Sequence, residues 1–152
     1  MSVPGAVITP PLNRRTHGGY SGTPLPKKLG IKARARIALP DIPPDLKTEL
    51  RSAIAECQIA KQGRLDFVLL FVKTQAGLKK NLPQWKKRLQ RAGMLWVAWP
   101  KKSSGVVSDL DENKIRVVGL AAGLVDVKVC AVSDVWSGLK FVIPIKSRSE
   151  AR

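Results

Sequence analysis

Residues 65–72, LDFVLLFV, form a near-continuous apolar run in the middle of the chain. The run is far shorter than the roughly 20 apolar residues that cross a bilayer. A strand with one wet face alternates apolar and polar side chains, whereas an unbroken run is typical of a strand covered on both faces. This stretch therefore predicts the central strand of a parallel sheet in an α/β domain.

Further strands are predicted on both sides of this run. The segment 33–39, ARARIAL, precedes it, and the segment 94–99, MLWVAW, follows it. Helical patterns separate the three strands, which indicates parallel pairing through right-handed crossovers. The last two strands, 124–132 and 139–145, are too close for a crossover, so they predict an antiparallel hairpin with the final strand at the sheet edge. The predicted architecture is a three-layer α/β sandwich with three parallel strands and a C-terminal antiparallel hairpin.

The helices between these strands are predicted from apolar spacing and capping residues. The first connecting helix begins at Asp45 as N-cap and runs to residue 57. The second covers 74–92 and restarts at Pro83. The third begins at Ser108, which with Asp111 has the spacing of a capping box.

The chain of 152 residues is long enough for one domain with its own core. Residues 1–22 and 147–152 are polar or rich in Gly and Pro, so we predict flexible tails around a domain at 23–146. The start of the chain has neither the basic residues nor the apolar stretch of a secretory signal, which predicts a cytoplasmic protein without a membrane segment.

Few residues in the sequence are suited to metal binding or to nucleophilic catalysis. Cys57 and Cys130 lie within apolar patterns, and His17 is the one histidine of the chain. In a reducing compartment, cysteines within such patterns usually serve as small hydrophobic side chains. We predict no metal site and no catalytic residue.

The formal net charge is +16, and the cations are unevenly spread. No acid occurs between Asp66 and Asp109, where many lysines and arginines stand. Such a surface attracts polyanions, above all nucleic acid, although a general solubility field would give the same composition. The candidate nucleic-acid contacts are Lys79, Lys80, Lys86, Lys87, Arg88 and Arg91.

Candidate ligand-binding residues follow the predicted strands, because ligands of open α/β sheets bind beyond the carboxyl ends of the strands. The segment PKKSSG, 100–105, combines cations, hydroxyls and a glycine before a helix, which makes it the best candidate for an anion-binding loop. A solvated loop without a ligand is the favoured alternative, because loops between strands and helices are polar by default. A second polar cluster lies at the hairpin turn. The full set of candidates is Asp41, Lys101, Lys102, Ser103, Ser104, Gly105, Asp134 and Trp136.

The order of elements resembles a class I methyltransferase-like Rossmann domain that lacks part of its first half. KKLGIKARARIAL at 27–39 is similar to the helix, loop and strand that open this fold. LDFVLLF at 65–71 and RAGMLWVAW at 91–99 are similar to its middle, and LAAGLVDVKVCAV at 120–132 with GLKFV at 138–142 to its closing strand pair. The resemblance implies a Rossmann-like fold.

Three longer segments resemble an uncharacterised bacterial family known as a domain of unknown function. They are GYSGTPLPKKLGIK at 19–32, LWVAWPKKSSGVVSDL at 95–110 and GLVDVKVCAVSDVWSGLKFV at 123–142, in the same order. This resemblance implies a bacterial origin and carries no functional residues with it.

A methyltransferase uses a Gly-rich turn after its first strand, so that the backbone approaches the cofactor closely. Here the segment 40–45, PDIPPD, contains prolines and no glycine, which argues against S-adenosylmethionine as cofactor. We therefore predict a non-catalytic domain that binds a small ligand or anion and carries no cofactor. The alternatives are a nucleic-acid-binding accessory protein and an S-adenosylmethionine-dependent methyltransferase. The oligomeric state is open.

Overall fold

The computed structural model describes residues 22–148, which form one sheet with helices on both of its faces. The helices are α1 (Leu25–Leu29), α2 (Pro44–Glu49), α3 (Arg51–Ala55), α4 (Gln75–Arg88), α5 (Glu112–Ala121) and α6 (Ile145–Arg148). The strands are β1 (Arg36–Ala38), β2 (Gln58–Ile59), β3 (Leu65–Phe71), β4 (Leu89–Pro100), β5 (Val125–Ala131) and β6 (Trp136–Val142).

The strand order in the sheet is β2-β1-β3-β4-β6-β5. β1 pairs in parallel with β2 and β3, and β3 pairs in parallel with β4. β6 is antiparallel to both of its neighbours, β4 and β5. The predicted α/β architecture, with its parallel strands and closing antiparallel hairpin, is confirmed. β2 is an additional parallel strand, and its two residues are too few to give a periodic signal.

The position of the hairpin in the sheet differs from the prediction. β6 lies inside the sheet, and β5 forms its edge. Leu139 and Phe141 of β6 are buried, whereas Val127 and Val129 of β5 are about half exposed. The alternation of apolar and polar residues in β5 therefore belongs to an edge strand. Pro144 lies beyond Val142, the last residue of β6, so it does not limit the pairing of that strand.

The sheet separates two apolar layers, each formed by one set of its side chains and the helices above them. On one face, Leu78 and Leu82 of α4 and Ile115 of α5 pack over β3 and β4. On the other face, helices α1 and α2 pack over the same two strands, with Trp96 fully buried between them. The indole Nε1–H of Trp96 donates to the carbonyl oxygen of Leu29 at 2.8 Å, so one side chain joins α1 to the sheet.

Several helix boundaries differ from those predicted. α4 continues through Pro83 and ends at Arg88, so the segment 89–93 belongs to β4, which begins with an irregularity in its pairing to β3. The helix predicted from Asp45 is divided at Leu50 into α2 and α3. Asp111 caps α5 by accepting from the amide of Lys114 at 2.8 Å, which corrects the predicted cap at Ser108.

The predicted tails fall largely outside the described residues, namely at 1–21 and 149–152. α6 spans Ile145–Arg148 and so crosses the boundary that we predict between residues 146 and 147. None of the helices between residues 22 and 148 has the length and apolar character that a membrane crossing requires.

Gly119 on α5 lies close against the sheet. A methyl group built on Gly119 would overlap ring carbons of Phe141, which is fully buried in β6. We expect Gly119→Ala to destabilise the fold by about 1–3 kcal/mol, because overpacking outweighs the better helix propensity of alanine. Urea unfolding measures the change. The double variant Gly119→Ala with Phe141→Leu should regain part of the loss, and a Gly119→Ala protein as stable as the parent would contradict the packing argument.

Candidate ligand-binding cleft

A cleft of about 690 Å³ opens at the edge of the sheet where β1 and β3 end, here called the carboxyl edge. From β1 the chain crosses to β2 on one side and then returns to β3 on the other, so strand order reverses between β1 and β3. This reversal is the position at which open α/β sheets bind ligands. The cleft is lined by Asp41, Ile42, Pro43, Pro44, Phe71, Val72, Lys73, Gly77, Asn81, Val106, Val135 and Trp136.

The turn after β1 forms one wall of the cleft. The amide of Ile42 donates to the carbonyl oxygen of Leu39 at 3.2 Å, and Asp41 has a φ of +61°. Proline before a residue of positive φ is the pattern of a type II turn, whose third position usually holds glycine or asparagine. Asp41 tolerates this left-handed conformation better than most residues do. This left-handed turn is therefore made without glycine, and Asp41 is one of the residues that line the cleft.

An aromatic pair forms the floor of the cleft. Trp136 stands edge-on to Phe71, with 5.0 Å between the ring centroids and an angle of 89° between the planes. Trp136 is only 8% exposed, so it contributes to the core as well as to the lining. The hydroxyl of Ser133 accepts from the amides of Val135 and Trp136, both at 3.1 Å, and fixes the hairpin turn that carries the indole.

The start of α4 forms the opposite wall, and side chains already bind two of its first amides. The hydroxyl of Thr74 accepts from the amide of Gly77 at 3.0 Å, and the carboxylate of Asp109 accepts from the amide of Gln75 at 2.8 Å. Two of the amides at this helix terminus are therefore not available to an anion. Lys73 and Asn81 are the polar side chains that this wall adds to the lining.

The predicted anion loop at 100–105 is not assembled as we expect. Lys102, Ser103 and Ser104 form a short 3-10 turn that ends at Gly105, which has a φ of +79°. The hydroxyl of Ser104 donates to the carbonyl oxygen of Lys101 at 2.6 Å and accepts from the amide of Val106 at 3.1 Å. An extended segment separates this turn from α5, so the loop does not meet a helix N-terminus, and Val106 is its nearest neighbour in the lining.

The other predicted ligand residues are placed as follows. Lys101 is partly buried beside the hairpin, where its amide donates to the carbonyl oxygen of Val135 at 2.7 Å. Asp134 is exposed at the tip of the hairpin turn and is not part of the lining. The cleft thus contains Asp41 and Trp136 from the predicted set.

The predicted nucleic-acid residues are divided between the two ends of α4. Lys79 and Lys80 lie near its start, toward the carboxyl edge, and the remaining cations lie at or beyond its end. Lys86 is directed to the end of α5, since a Cβ built on Gly123 would lie 2.8 Å from its Nζ. Cations at a helix C-terminus are favourable for structural reasons.

Both cysteines are free, and neither is an activated thiol. Burial raises the pKa of Cys57, against a smaller opposing effect of a hydrogen bond with the backbone of Ala35. Burial likewise raises the pKa of Cys130, although the charges of Lys28 and Lys128 oppose it. A nucleophilic cysteine usually has a lowered pKa, and both of these thiols have the opposite shift.

Sequence reasoning missed Ile42, Phe71, Lys73 and Asn81 as lining residues. Lys73 directly follows the central strand, so its position at the carboxyl edge was available as a signal. Asn81 gave no such signal, because its place depends on α4 continuing through Pro83. The apolar lining residues, Ile42 and Phe71, have no sequence feature that distinguishes them from ordinary core residues.

Comparison with solved structures shows how the fold is used elsewhere. The chain aligns with magnesium protoporphyrin IX methyltransferase from Synechocystis PCC 6803 with bound S-adenosylmethionine, at a TM-score of 0.52 and 12% identity over 79% of this chain and 74% of that one. It aligns with LepI in complex with S-adenosylmethionine at a TM-score of 0.53 and 12% identity, over 87% of this chain and 50% of that one. The pyocyanin biosynthetic protein PhzM gives a TM-score of 0.53 and 10% identity, over 79% and 53%.

These likenesses establish a methyltransferase-like Rossmann fold, and the chain spans about half the length of LepI and PhzM. No protein-family model matches the sequence, and no curated protein is significantly similar to it.

The comparisons correct three of our predictions. The non-catalytic interpretation, the expectation that the protein is not an enzyme, and the argument against S-adenosylmethionine are wrong, since structures with this fold hold that cofactor and include a methyltransferase. The physical reason lies in the turn after β1. Asp41 adopts a positive φ itself, so the absence of glycine does not prevent a left-handed turn after β1.

Proposed function

We propose that the cleft between β1 and β3 binds S-adenosylmethionine and that the protein is an S-adenosylmethionine-dependent methyltransferase. The observation that carries this proposal is the coincidence of three features at one place: the reversal of strand order, a left-handed turn after β1, and a cleft of about 690 Å³. That volume lies within the range of small-molecule and cofactor sites.

The side chains of the lining have the chemistry that this cofactor needs. Ile42, Phe71 and Trp136 offer apolar and aromatic surface to an adenine ring. The carboxylate of Asp41 is an acceptor for ribose hydroxyls, and the ammonium group of Lys73 is a partner for the carboxylate of the methionine part. The residues after β2, at 60–63, contain no acid, so the proposal gives the ribose contact to Asp41.

When bound, S-adenosylmethionine supplies an electrophilic methyl group on a positively charged sulfur. The chain's own contribution is to hold and orient this group. Phe71 and Trp136 keep water from the floor, and the Ser133 hydroxyl keeps the Trp136 turn in place. The carboxylate of Asp41 adds a negative charge that favours a cationic ligand.

Calorimetric titration with S-adenosylmethionine and with S-adenosylhomocysteine tests the proposal. We expect saturable binding of one molecule per chain for both, and a higher melting temperature in their presence, because a ligand that binds only the folded state stabilises it. Adenosine alone should bind more weakly, since it leaves Lys73 without its carboxylate partner. Absence of heat and of any thermal shift with both ligands would refute the proposal.

We also propose that the protein belongs to the bacterial family of unknown function that three of its segments resemble, and that it is located in the cytoplasm. Two free cysteines are what a reducing compartment permits. The identity of the methyl acceptor is left open by the cleft.

A further inference from the structure

A second charged region lies at the opposite end of the sheet, where β1, β3 and the paired part of β4 begin, here called the amino edge. The loops at 31–35 and 60–64 and the segment that follows α4 meet there. They bring together cations that are far apart in the sequence. We call this set the amino-edge basic face: Lys32, Arg34, Arg36, Lys61, Arg64, Lys87, Arg88 and Arg91.

Three arginines of this face are held by backbone carbonyl groups. Arg36 donates from Nε to the carbonyl oxygen of Arg64 at 2.8 Å and from Nη2 to that of Gln62 at 2.6 Å. Arg88 donates from Nε to Gly63 at 2.9 Å and from Nη2 to Ala60 at 3.0 Å.

Arg64 completes the arrangement by donating from Nη1 to the carbonyl oxygens of Lys87 and Leu89, both at 3.2 Å. Carbonyl oxygens carry no formal charge, so these bonds fix the guanidinium groups without neutralising them. Each guanidinium has five N–H donors, which leaves further donors on every one of them for a ligand.

Few acidic side chains lie near the face, and one of them already accepts a hydrogen bond from the backbone. The carboxylate of Asp66 accepts from the backbone amide of Arg36 at 2.9 Å, and Glu56 lies at the end of α3. Asp126, toward the far side of the sheet, is bound by Arg116 at 2.8 Å, which lowers the pKa of that carboxyl. The positive charge of the face is therefore mostly uncompensated.

The carboxyl edge differs in charge. There, the lysines stand among three acids, Asp41, Asp109 and Asp134, and the lysines are Lys73, Lys79, Lys80, Lys101 and Lys102. The strongly positive surface that the composition predicts is thus concentrated on the side of the sheet away from the cleft.

We propose that the amino-edge basic face binds the phosphodiester backbone of a nucleic acid. Planar guanidinium groups match the geometry of phosphate oxygens, and arginines that are already oriented lose less entropy when they bind. Trp85, the aromatic side chain at this face, is packed beneath Arg88, whose Cζ lies 5.6 Å from the ring centroid. Phosphate contacts without base stacking give binding that does not depend on sequence.

A nucleic acid fits this face better than a lipid surface does. Membrane association usually combines basic residues with apolar side chains that enter the bilayer. Of the large exposed apolar residues, Ile59 alone lies beside this face, and the others lie elsewhere: Val107, Val117, Leu120, Val127, Val129 and Ile145.

The face is independent of the proposed cofactor site. β3 connects the two edges with seven residues, which at about 3.3 Å per residue separate the face from the cleft by about 20 Å. The face therefore anchors a long polyanion and does not itself position a group at the cleft.

A matched pair of charge-reversal variants tests this proposal. The face variant carries Lys61→Glu, Lys87→Glu and Arg91→Glu. These changes alter the exposed part of the face and spare the arginines that bind carbonyls. The control variant carries Lys47→Glu, Lys79→Glu and Lys80→Glu, which are exposed positions on α2 and α4 outside the face. Each variant replaces three cations with glutamate, so its formal net charge falls by six, from +16 to +10.

Binding is measured by fluorescence anisotropy with labelled 20-nucleotide RNA and DNA, single-stranded and duplex, over a range of salt concentrations. We expect the parent protein to bind at low salt with a steep salt dependence. The face variant should lose about tenfold or more in affinity. Its log–log salt slope should fall by about 2 to 3, since each of three lost phosphate contacts removes about 0.7 on a single strand and about 0.9 on duplex DNA. The control variant should lose no more than about threefold.

Circular dichroism and melting temperature establish that both variants remain folded. An equal loss in the two variants would show a diffuse charge effect and overturn the proposal, as would a parent protein that binds no nucleic acid at 50 mM salt. Vesicles with anionic lipid that displace the RNA at equal phosphate concentration would overturn it in favour of a membrane surface. Binding that survives without S-adenosylmethionine supports the face whatever the outcome at the cleft.

Discussion

The Asp41→Asn variant is expected to bind S-adenosylmethionine about tenfold to a hundredfold more weakly than the parent protein. Asparagine keeps the tolerance for positive φ, so the turn that ends at Ile42 should be preserved. What is lost is a charged acceptor in the cleft, and hydrogen bonds to charged groups contribute about 1.5–3 kcal/mol. At about 1.4 kcal/mol per factor of ten, this corresponds to the expected range. Calorimetric titration measures the change.

Two further variants separate the carboxylate from the backbone. Asp41→Gly removes the side chain but suits a φ of +61°, so it should weaken binding as much as Asp41→Asn while leaving stability within about 1 kcal/mol of the parent. Asp45→Asn removes an exposed acid of α2 that is not in the lining, and it should leave binding unchanged. If Asp41→Asn and Asp45→Asn have the same affinity, the role given to Asp41 is wrong.

Replacing Trp96 with alanine should cost about 3–5 kcal/mol of folding free energy, which is a large part of the stability of an ordinary domain. The side chain is fully buried, and its indole N–H bonds the carbonyl oxygen of Leu29. Trp96→Phe keeps most of the volume and leaves that carbonyl oxygen without its partner, so we expect a loss of about 1–3 kcal/mol.

Urea unfolding followed by circular dichroism measures both Trp96 variants. Trp85→Phe is the matched control, because Trp85 is only partly buried and packs at the margin of the core. It should cost less than either Trp96 variant. A Trp96→Ala protein within about 1 kcal/mol of the parent would show that α1 is not held by this residue.

The central part of the fold follows from apolar patterning. β3 is buried on both sides, as its unbroken apolar run predicts, and the short connection between β5 and β6 forces an antiparallel hairpin. The order of strands across the sheet is not contained in such patterns. β6 lies inside because Leu139 and Phe141 pair against β4 and fill the core, whereas an alternating strand with a partly wet face suits the edge.

The cleft shows where residue type misleads. The absence of glycine after β1 predicts a turn that does not approach a ligand. In the structure a residue other than glycine, Asp41, has the positive φ of a left-handed turn. Aspartate is among the few residues that adopt positive φ at modest cost. Asp41 lines the cleft, and its role at a ligand site stays a prediction. The argument that excluded the cofactor because glycine is absent is wrong.

The amino-edge basic face could not be derived from charge runs. The sequence directs attention to the dense cations of α4, although Lys86 packs against the end of α5. Arg36, Arg64 and Arg88 are 24 or more residues apart, and only the parallel pairing of β1 with β3 brings them together. Long-range pairing of this kind leaves no local periodic signal.

The indole N–H signals of the four tryptophans provide the most direct measurement of the central claim. In a ¹H–¹⁵N correlation spectrum recorded during titration with S-adenosylhomocysteine, the signal of Trp136 should shift progressively and saturate, because its ring lines the cleft. The signals of Trp85, Trp96 and Trp99 should stay near their original positions. A titration that leaves Trp136 unmoved, or that shifts the other three instead, would contradict the placement of the cofactor between β1 and β3.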